Sequence, residues 1–200
     1  DNILDQLQKN NIENILALRG DLPINPALRE KLTPNYHYAT DVIAHIKSRN
    51  YFSIAAAAYP EGHMECSSLA EDTAHLKEKV AVGADFLITQ VFFDNQLFYK
   101  FLDRVGQAGI TAPICAGIMP LLNIRQIARI SSLCGASIPK QLQSIIDKYE
   151  NSPLDLEKAG IEYACQQIIN LVDNHVDGIH LYTMNKLEQS KFIIHQTGLR

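Results

Sequence analysis

The sequence predicts an α/β fold of the (β/α)8 TIM-barrel type, with about five of the eight βα units of such a barrel present in this chain. Three observations carry that expectation. Short apolar runs alternate with amphipathic stretches along the whole chain, the pattern of parallel strands joined by helical crossovers. The runs are apolar on both faces, as a sheet covered by helices requires. Nearly every run ends in a hydrogen-bonding or reactive group, and a barrel brings such ends to one mouth, whereas an open sheet strings them along an edge. No Gly-x-Gly-x-x-Gly follows a strand and no Gly-x-x-x-x-Gly-Lys occurs, so a dinucleotide-binding doubly wound sheet and a P-loop nucleotidase both lose support. The 200 residues fall short of the roughly 250 of a complete barrel.

Each element has its own signal. Residues 12–18 read as the first strand, a short apolar run cut off by Arg19-Gly20-Asp21-Leu22-Pro23. After a loop through Pro34, Val42, Ile43 and Ile46 share one face of a helix over 39–49. The second strand, 52–58, ends at Tyr59-Pro60-Glu61-Gly62. Ser67 or Ser68 can cap the next helix, with Glu71 placed for a capping box and Gly83 as the stop. A third strand over 86–93 precedes a helix over 96–108 that Gly109 ends. The fourth strand, 113–117, is followed by helical segments over 124–133 and 139–149. A long amphipathic helix over 155–174 leads to the fifth strand, 178–182, and the last helix spans 186–195.

Composition narrows the function classes. Apolar residues make up 46% of the chain, enough for a packed core. A net charge of −4 provides no global positive field, which argues against a nucleic-acid or acidic-membrane partner. No apolar run approaches the roughly 20 residues of a membrane span. The four cysteines show no Cys-x-x-Cys spacing, so the expectation is no metal site, and buried, reduced thiols in a cytoplasmic protein. The chain starts at Asp1-Asn2 without a visible signal peptide.

Four constellations could carry chemistry. Arg19, Gly20 and Asp21 put a cation, an acid and a Cβ-free backbone directly after a strand, suited to a planar ligand or to a surface turn with a local ion pair. Tyr59 and His63 flank the turn after the second strand; a half-buried tyrosine in a turn reads the same way. Asp72, His75 and Lys79 recur at helical spacing, so they share a face that could hold a ribose and a diphosphate, or could simply be solvated. Gln90 is an amide in an apolar run, where burial is costly unless its hydrogen bonds are met by backbone or by a ligand with an amide-like edge.

Taken together, these segments resemble the methylenetetrahydrofolate reductase family, and most closely its short bacterial form. The matching stretches are Asn14-Ile-Leu-Ala-Leu-Arg-Gly-Asp-Leu-Pro23, Ala57-Ala-Tyr-Pro-Glu-Gly-His63, Leu76-Lys77 with Lys79, and Gly83-Ala-Asp85. Further on come Ile88-Thr-Gln-Val-Phe-Phe-Asp94, Gly117-Ile-Met-Pro120 and Tyr182-Thr-Met-Asn185. The resemblance implies a flavin-binding barrel of which residues 1–200 form the carboxyl-terminal part as one domain. The family's first three strands, with its glutamate general acid, fall outside the alignment. It also implies FAD as cofactor, NADH or NADPH as co-substrate, and reduction of 5,10-methylenetetrahydrofolate to 5-methyltetrahydrofolate by ping-pong hydride transfer through flavin N5. That chemistry belongs to one-carbon metabolism and methionine biosynthesis.

Residue by residue, the resemblance makes Arg19, Gly20, Asp21, Tyr38, Ala39, Tyr59, His63, Asp72, His75 and Lys79 flavin contacts. It makes Asp21, Gln90, Gln126, Tyr182, Met184 and Lys186 folate contacts, with Gln90 also meeting the nicotinamide. Asp21 is the one catalytic candidate, a carboxylate that would disfavour negative charge on the reduced flavin. His75 stands where the bacterial pattern has asparagine, Glu78 where it has a basic residue, and Lys186 replaces an arginine, giving up a bidentate fork. The family often forms homo-oligomers. Two other readings stay open: a non-catalytic or incomplete fragment that needs upstream residues, and a flavin-free pterin-binding barrel.

Overall fold

The computed structural model describes residues 2–20, 25, 27 and 36–199. In chain order these form α1 (Asn2–Lys9), β1 (Asn14–Ala17), α2 (Ala39–Lys47), β2 (Ser53–Ala58), α3 (Leu69–Val82), β3 (Phe86–Thr89) and α4 (Asn95–Gln107). Then come β4 (Ile114–Ile118), α5 (Ile124–Cys134), α6 (Lys140–Tyr149), α7 (Pro153–Asp173), β5 (Gly178–Leu181) and α8 (Leu187–Thr197).

The five strands are parallel and lie side by side in sequence order, β1-β2-β3-β4-β5. A doubly wound sheet reverses direction at a switch point, and this order has none. Right-handed crossovers that always step the same way keep the helices on one side, so the sheet is an arc of a (β/α)8-type barrel. The register assigns the two faces. Ala17, Ile54, Ala56, Ala58, Leu87, Ile114, Ala116 and Ile118 are buried in one apolar cluster with helix residues Ile43, Leu76, Phe98, Phe101 and Ile168. The alternate residues, among them Leu16, Ala57, Ile88, Cys115 and His180, point to the other, concave face. That face is incompletely covered, and Leu16 is 41% exposed.

The amino ends of the strands are locked by carboxylates. Asp85, just before β3, accepts the Ile54 N–H of β2 at 2.8 Å, and Asp177, just before β5, accepts the Ile114 N–H of β4 at 2.9 Å. Asp85 also pairs with Lys47 at 2.9 Å. The Gly83-Ala84-Asp85 segment is thus a helix stop followed by a strand clamp.

Several boundaries differ from the sequence expectation. The strand expected over 86–93 stops at Thr89. Gln90 N–H still reaches Ala58 O, but the Gln90 side chain then folds back to accept the Val91 N–H at 2.8 Å, taking the place of a ladder acceptor. The capping box of α3 is split between two serines: Ser68 Oγ accepts the Glu71 N–H, while Glu71 accepts from the N–H and hydroxyl of Ser67. Helix α1 was not anticipated, because it has no fully buried residue; Leu4 and Leu7 pack on the core margin and Asp5 pairs with Arg49 at 3.0 Å. The expectation of buried thiols holds for Cys165 alone, since Cys66, Cys115 and Cys134 are all partly exposed. No helix among the described residues is long and apolar enough to cross a membrane.

Candidate functional site

Parallel strands put all their carboxyl ends at one rim. Arg19 and Gly20 follow β1 there, Tyr59 follows β2, Gln90 follows β3 and Tyr182 follows β5. The loop after β2 is the hub. Tyr59 and His63 meet edge to face with ring centroids 4.6 Å apart, and Lys79 Nζ lies 5.5 Å from the Tyr59 ring centre. Asp72 is 5% exposed and accepts the His63 N–H at 3.3 Å, while Lys79 donates to Ala57 O at 2.9 Å.

Helical spacing explains this convergence. Asp72 and Lys79 sit two turns apart on the sheet-facing side of α3, beside buried Leu76. The solvated-face alternative therefore fails for Asp72 and Lys79. His75 is exposed, and its Nδ1 lies 3.6 Å from Cys66 Sγ, which in turn reaches Asp72 Oδ1 at 3.9 Å.

The electrostatics follow from burial. Burial, with the negative charge of Asp72, pushes the Tyr59 phenol up to about 12, so it stays neutral at physiological pH. Burial raises the Asp72 carboxyl despite the His63 N–H and the nearby Lys79 ammonium, and lowers the Lys79 ammonium despite Asp72. It also lowers the Arg104 guanidinium. Two cations against one carboxylate leave a formal charge of +1 in a largely desolvated place, an arrangement that favours an anionic ligand. Ala57 O is the hydrogen-bond acceptor of Lys79 among the described residues, and an ammonium carries three donors. The residues at this rim therefore fit a diphosphate beside an aromatic face.

Arg19 joins the hub from β1. Its guanidinium grips Glu65 with two bonds of 3.1 and 3.2 Å, and the Glu65 N–H donates to His63 Nδ1 at 3.1 Å. Gly20 has φ +83°, a left-handed conformation that glycine adopts without strain. Asp21 lies outside the described residues. Tyr38 and Ala39 form the entry of α2, where Asp41 accepts the N–H groups of His37 and Tyr38; Tyr38 is 67% exposed.

On the other flank, Tyr182 crosses the concave face of β4 to donate its hydroxyl to Thr89 O at 3.0 Å. Thr89 is fully buried, and its hydroxyl oxygen accepts the Gly117 N–H at 2.8 Å. This seam ties three strand tips together beside Gln90. Gln90 Oε1 is occupied by Val91 N–H, while Nε2 meets no acceptor among the described residues. Gln126 differs: its Oε1 accepts the Leu122 N–H and its Nε2 donates to Pro120 O, so both ends of the amide brace the loop after β4. Met184 and Lys186 are exposed on the turn beyond Tyr182, where Met184 and Asn185 both adopt positive φ.

Sequence reasoning missed Arg104, which donates to Thr73 Oγ1 and Pro60 O at 3.1 Å each, and it missed the Thr89 seam. Arg104 borders the buried α4 stripe of Phe98, Phe101 and Val105, a position where a charge is a readable signal. A cavity of about 290 Å³ lined by Phe93, Asp94, Tyr163 and Gln167, among others, shares no residue with the hub. No cluster of His, Cys, Asp and Glu among the described residues could hold a metal ion.

Comparison with known proteins gives a consistent picture. The methylenetetrahydrofolate reductase family model matches residues 1–198. The chain is 33% identical to methylenetetrahydrofolate reductase (NADH) 1 of Arabidopsis thaliana over 210 residues, covering 100% of the chain and 36% of the plant protein. It is 37% identical to a probable methylenetetrahydrofolate reductase (NADPH) of Caenorhabditis elegans, covering 98% of the chain and 30% of the relative. It is 35% identical to the 5,10-methylenetetrahydrofolate reductase of Escherichia coli, covering 96% of the chain and 62% of the relative. The chain thus spans about a third of the eukaryotic relatives and about three-fifths of the bacterial one. A solved structure from Clostridium thermocellum, described as binding two copies of 5-methyl-5,6,7,8-tetrahydrofolic acid, superposes with a TM-score of 0.59 at 18% identity, over 81% of this chain and 59% of the other. At that identity the likeness speaks for the fold.

Proposed function

The chain belongs to the methylenetetrahydrofolate reductase family, and we propose that residues 1–200 are the carboxyl-terminal part of a single flavin-binding barrel domain that reduces 5,10-methylenetetrahydrofolate to 5-methyltetrahydrofolate with NADH or NADPH. When bound, FAD supplies the hydride relay between nicotinamide and folate. The observation that carries the proposal is the cluster of buried Asp72 with the half-buried Lys79 and Arg104 beside Tyr59, formally +1, at the rim where a barrel places its site.

In this reading Lys79 meets the diphosphate as a point charge, and Asp72 holds Lys79 and the His63 backbone in place. Tyr59 and His63 supply an aromatic wall, with Arg19, Gly20, Asp21 and His75 completing the flavin contacts. Tyr38 and Ala39 join them from the entry of α2. Gln90 offers its Nε2 donor to the pterin or, in the other half-reaction, to the nicotinamide carboxamide. Tyr182 walls the folate pocket with Met184 and Lys186, and Gln126 acts on it by bracing the loop after β4. Asp21 would tune the flavin's charge. The description of the clostridial neighbour supports a folate ligand, and relatives named for NADH and for NADPH support a nicotinamide co-substrate.

The test is the colour and turnover of the full-length protein. It should purify yellow, release FAD on denaturation and be bleached by NADH or NADPH. Protein that stays colourless and cannot be reconstituted with FAD would instead support the flavin-free pterin reading. Gln90→Ala should impair folate turnover far more than flavin retention; equal loss of both would remove Gln90 from the substrate site.

A further inference from the structure

We propose that Arg104 is a positioning residue for the cofactor's diphosphate end, acting through the loop after β2. The inference rests on the flavin reading above and extends it to a helix, α4, that supplies none of the flavin or folate contacts assigned there.

Three observations converge on Arg104. It is half-buried, and its guanidinium bridges two elements, donating from Nε to Thr73 Oγ1 on α3 and from a terminal nitrogen to Pro60 O in the loop. Pro60 lies between Tyr59 and His63, so the backbone that aims both rings is held from beneath. Thr73 is 7% exposed and follows Asp72, so the same guanidinium also fixes the turn of α3 that carries the buried carboxylate. The Thr73 hydroxyl itself donates to Leu69 O at 2.7 Å, leaving its lone pair for Arg104. The Phe101 ring, 5.4 Å from the guanidinium carbon, packs against the cation.

The chemistry requires arginine. A planar fork reaches two acceptors on different elements at once, whereas an ammonium meets them as a point charge. Arg104 also supplies one of the two positive charges that make the cluster attractive to an anion. Losing it leaves Asp72 against Lys79 alone, a formally neutral pair. The consequence is selective, because the diphosphate end of a dinucleotide feels the change and an uncharged flavin does not.

The experiment measures binding of FAD and of riboflavin to the full-length protein, stripped of flavin, as wild type, Arg104→Met, Arg104→Lys and Thr73→Val. Arg104→Met should weaken FAD by about ten- to a hundredfold, the scale of losing charged hydrogen bonds, while riboflavin binding changes by less than about threefold. Arg104→Lys restores the charge and should recover part of the loss. Thr73→Val removes one acceptor of Arg104 without altering charge and should give a smaller loss of FAD affinity, and unchanged FAD affinity in it overturns the inference if Arg104→Met fails to fold. Parallel weakening of FAD and riboflavin, or unchanged FAD affinity in Arg104→Met, overturns the inference. A wild type that binds neither flavin overturns the flavin reading instead, so the two failures are distinguishable.

Discussion

Gly117→Ala is the sharpest test of how the rim is held together. A methyl group on Gly117 would collide with the Thr89 carbonyl oxygen and come within 2.9 Å of Tyr182 Cε2. Thr89 O is backbone and cannot swing away, so β3 and β4 must separate at their carboxyl ends. That separation strains two hydrogen bonds, Gly117 N–H to Thr89 Oγ1 and Tyr182 O–H to Thr89 O. Overpacking of a rigid site costs about 1–3 kcal/mol, and each neutral hydrogen bond lost adds about 0.5–1.5 kcal/mol. The expected loss is about 2–6 kcal/mol, read as a lower urea midpoint at unchanged slope. Tyr182→Phe removes only the hydroxyl and should cost about 1 kcal/mol. The double variant should be less destabilised than the sum of the singles, because the first substitution already strains the bond that the second removes. If Gly117→Ala unfolds within about 0.5 kcal/mol of wild type, or if the two losses simply add, the seam is not a unit and the reasoning is wrong.

Other perturbations test the rest of the frame. Gly160→Ala in α7 would drive a methyl into the backbone oxygen and Cβ of buried Leu121 and should cost about 3 kcal/mol or more, measurable in the same urea series. Gln126→Leu should destabilise by about 1–3 kcal/mol, since Leu122 N–H loses its acceptor; a Gln126 that served the folate alone would leave stability unchanged. For Asp85, burial alone would raise the carboxyl, but Lys47 and the Ile54 N–H outweigh it and hold it below its ordinary 3.8. A carboxylate depressed in the folded state stabilises above the unfolded value and loses that contribution as pH falls through the folded one. The gap between wild type and Asp85→Asn should therefore be about 1 kcal/mol at pH 7, the pair being partly solvent-screened. It should shrink below about pH 4, and a gap that widens on acidification contradicts the assignment.

The fold was legible because its signals are local and repeated. Each strand is a short apolar run closed by a polar residue, and each crossover helix carries a 3.6-residue stripe, so the order of elements could be read directly. The strand ends were less legible, because they depend on who accepts the next N–H. Nothing in Leu87-Ile-Thr-Gln-Val-Phe-Phe93 marks Thr89 as the last strand residue; the fold-back of Gln90 onto Val91 does, and that is a side-chain choice. Helix α1 was invisible for the opposite reason: its apolar residues only graze the core.

The site divides along the same line. Asp72 and Lys79 were readable as a pair because helical geometry alone puts them on one face, and the strand behind α3 decides that the face is buried. Gln90 and Gln126 show what spacing cannot convey. Both are amides beyond strand ends on the same rim, and both match folate positions by resemblance. Hydrogen-bond accounting among the described residues separates them: Gln126 has donor and acceptor committed to its own loop, while Gln90 has its oxygen alone committed there. An amide with both ends satisfied gains little from a ligand, whereas one with a donor left over can exchange water for a ligand acceptor. The same accounting brings in Arg104, whose donors reach acceptors 31 and 44 residues earlier in the sequence. Residues that bind through a local pattern can be found in a sequence, whereas residues that bind by holding other elements in place are identified by assigning each buried donor its acceptor, even where, as at Arg104, a charge beside an apolar stripe marks the position.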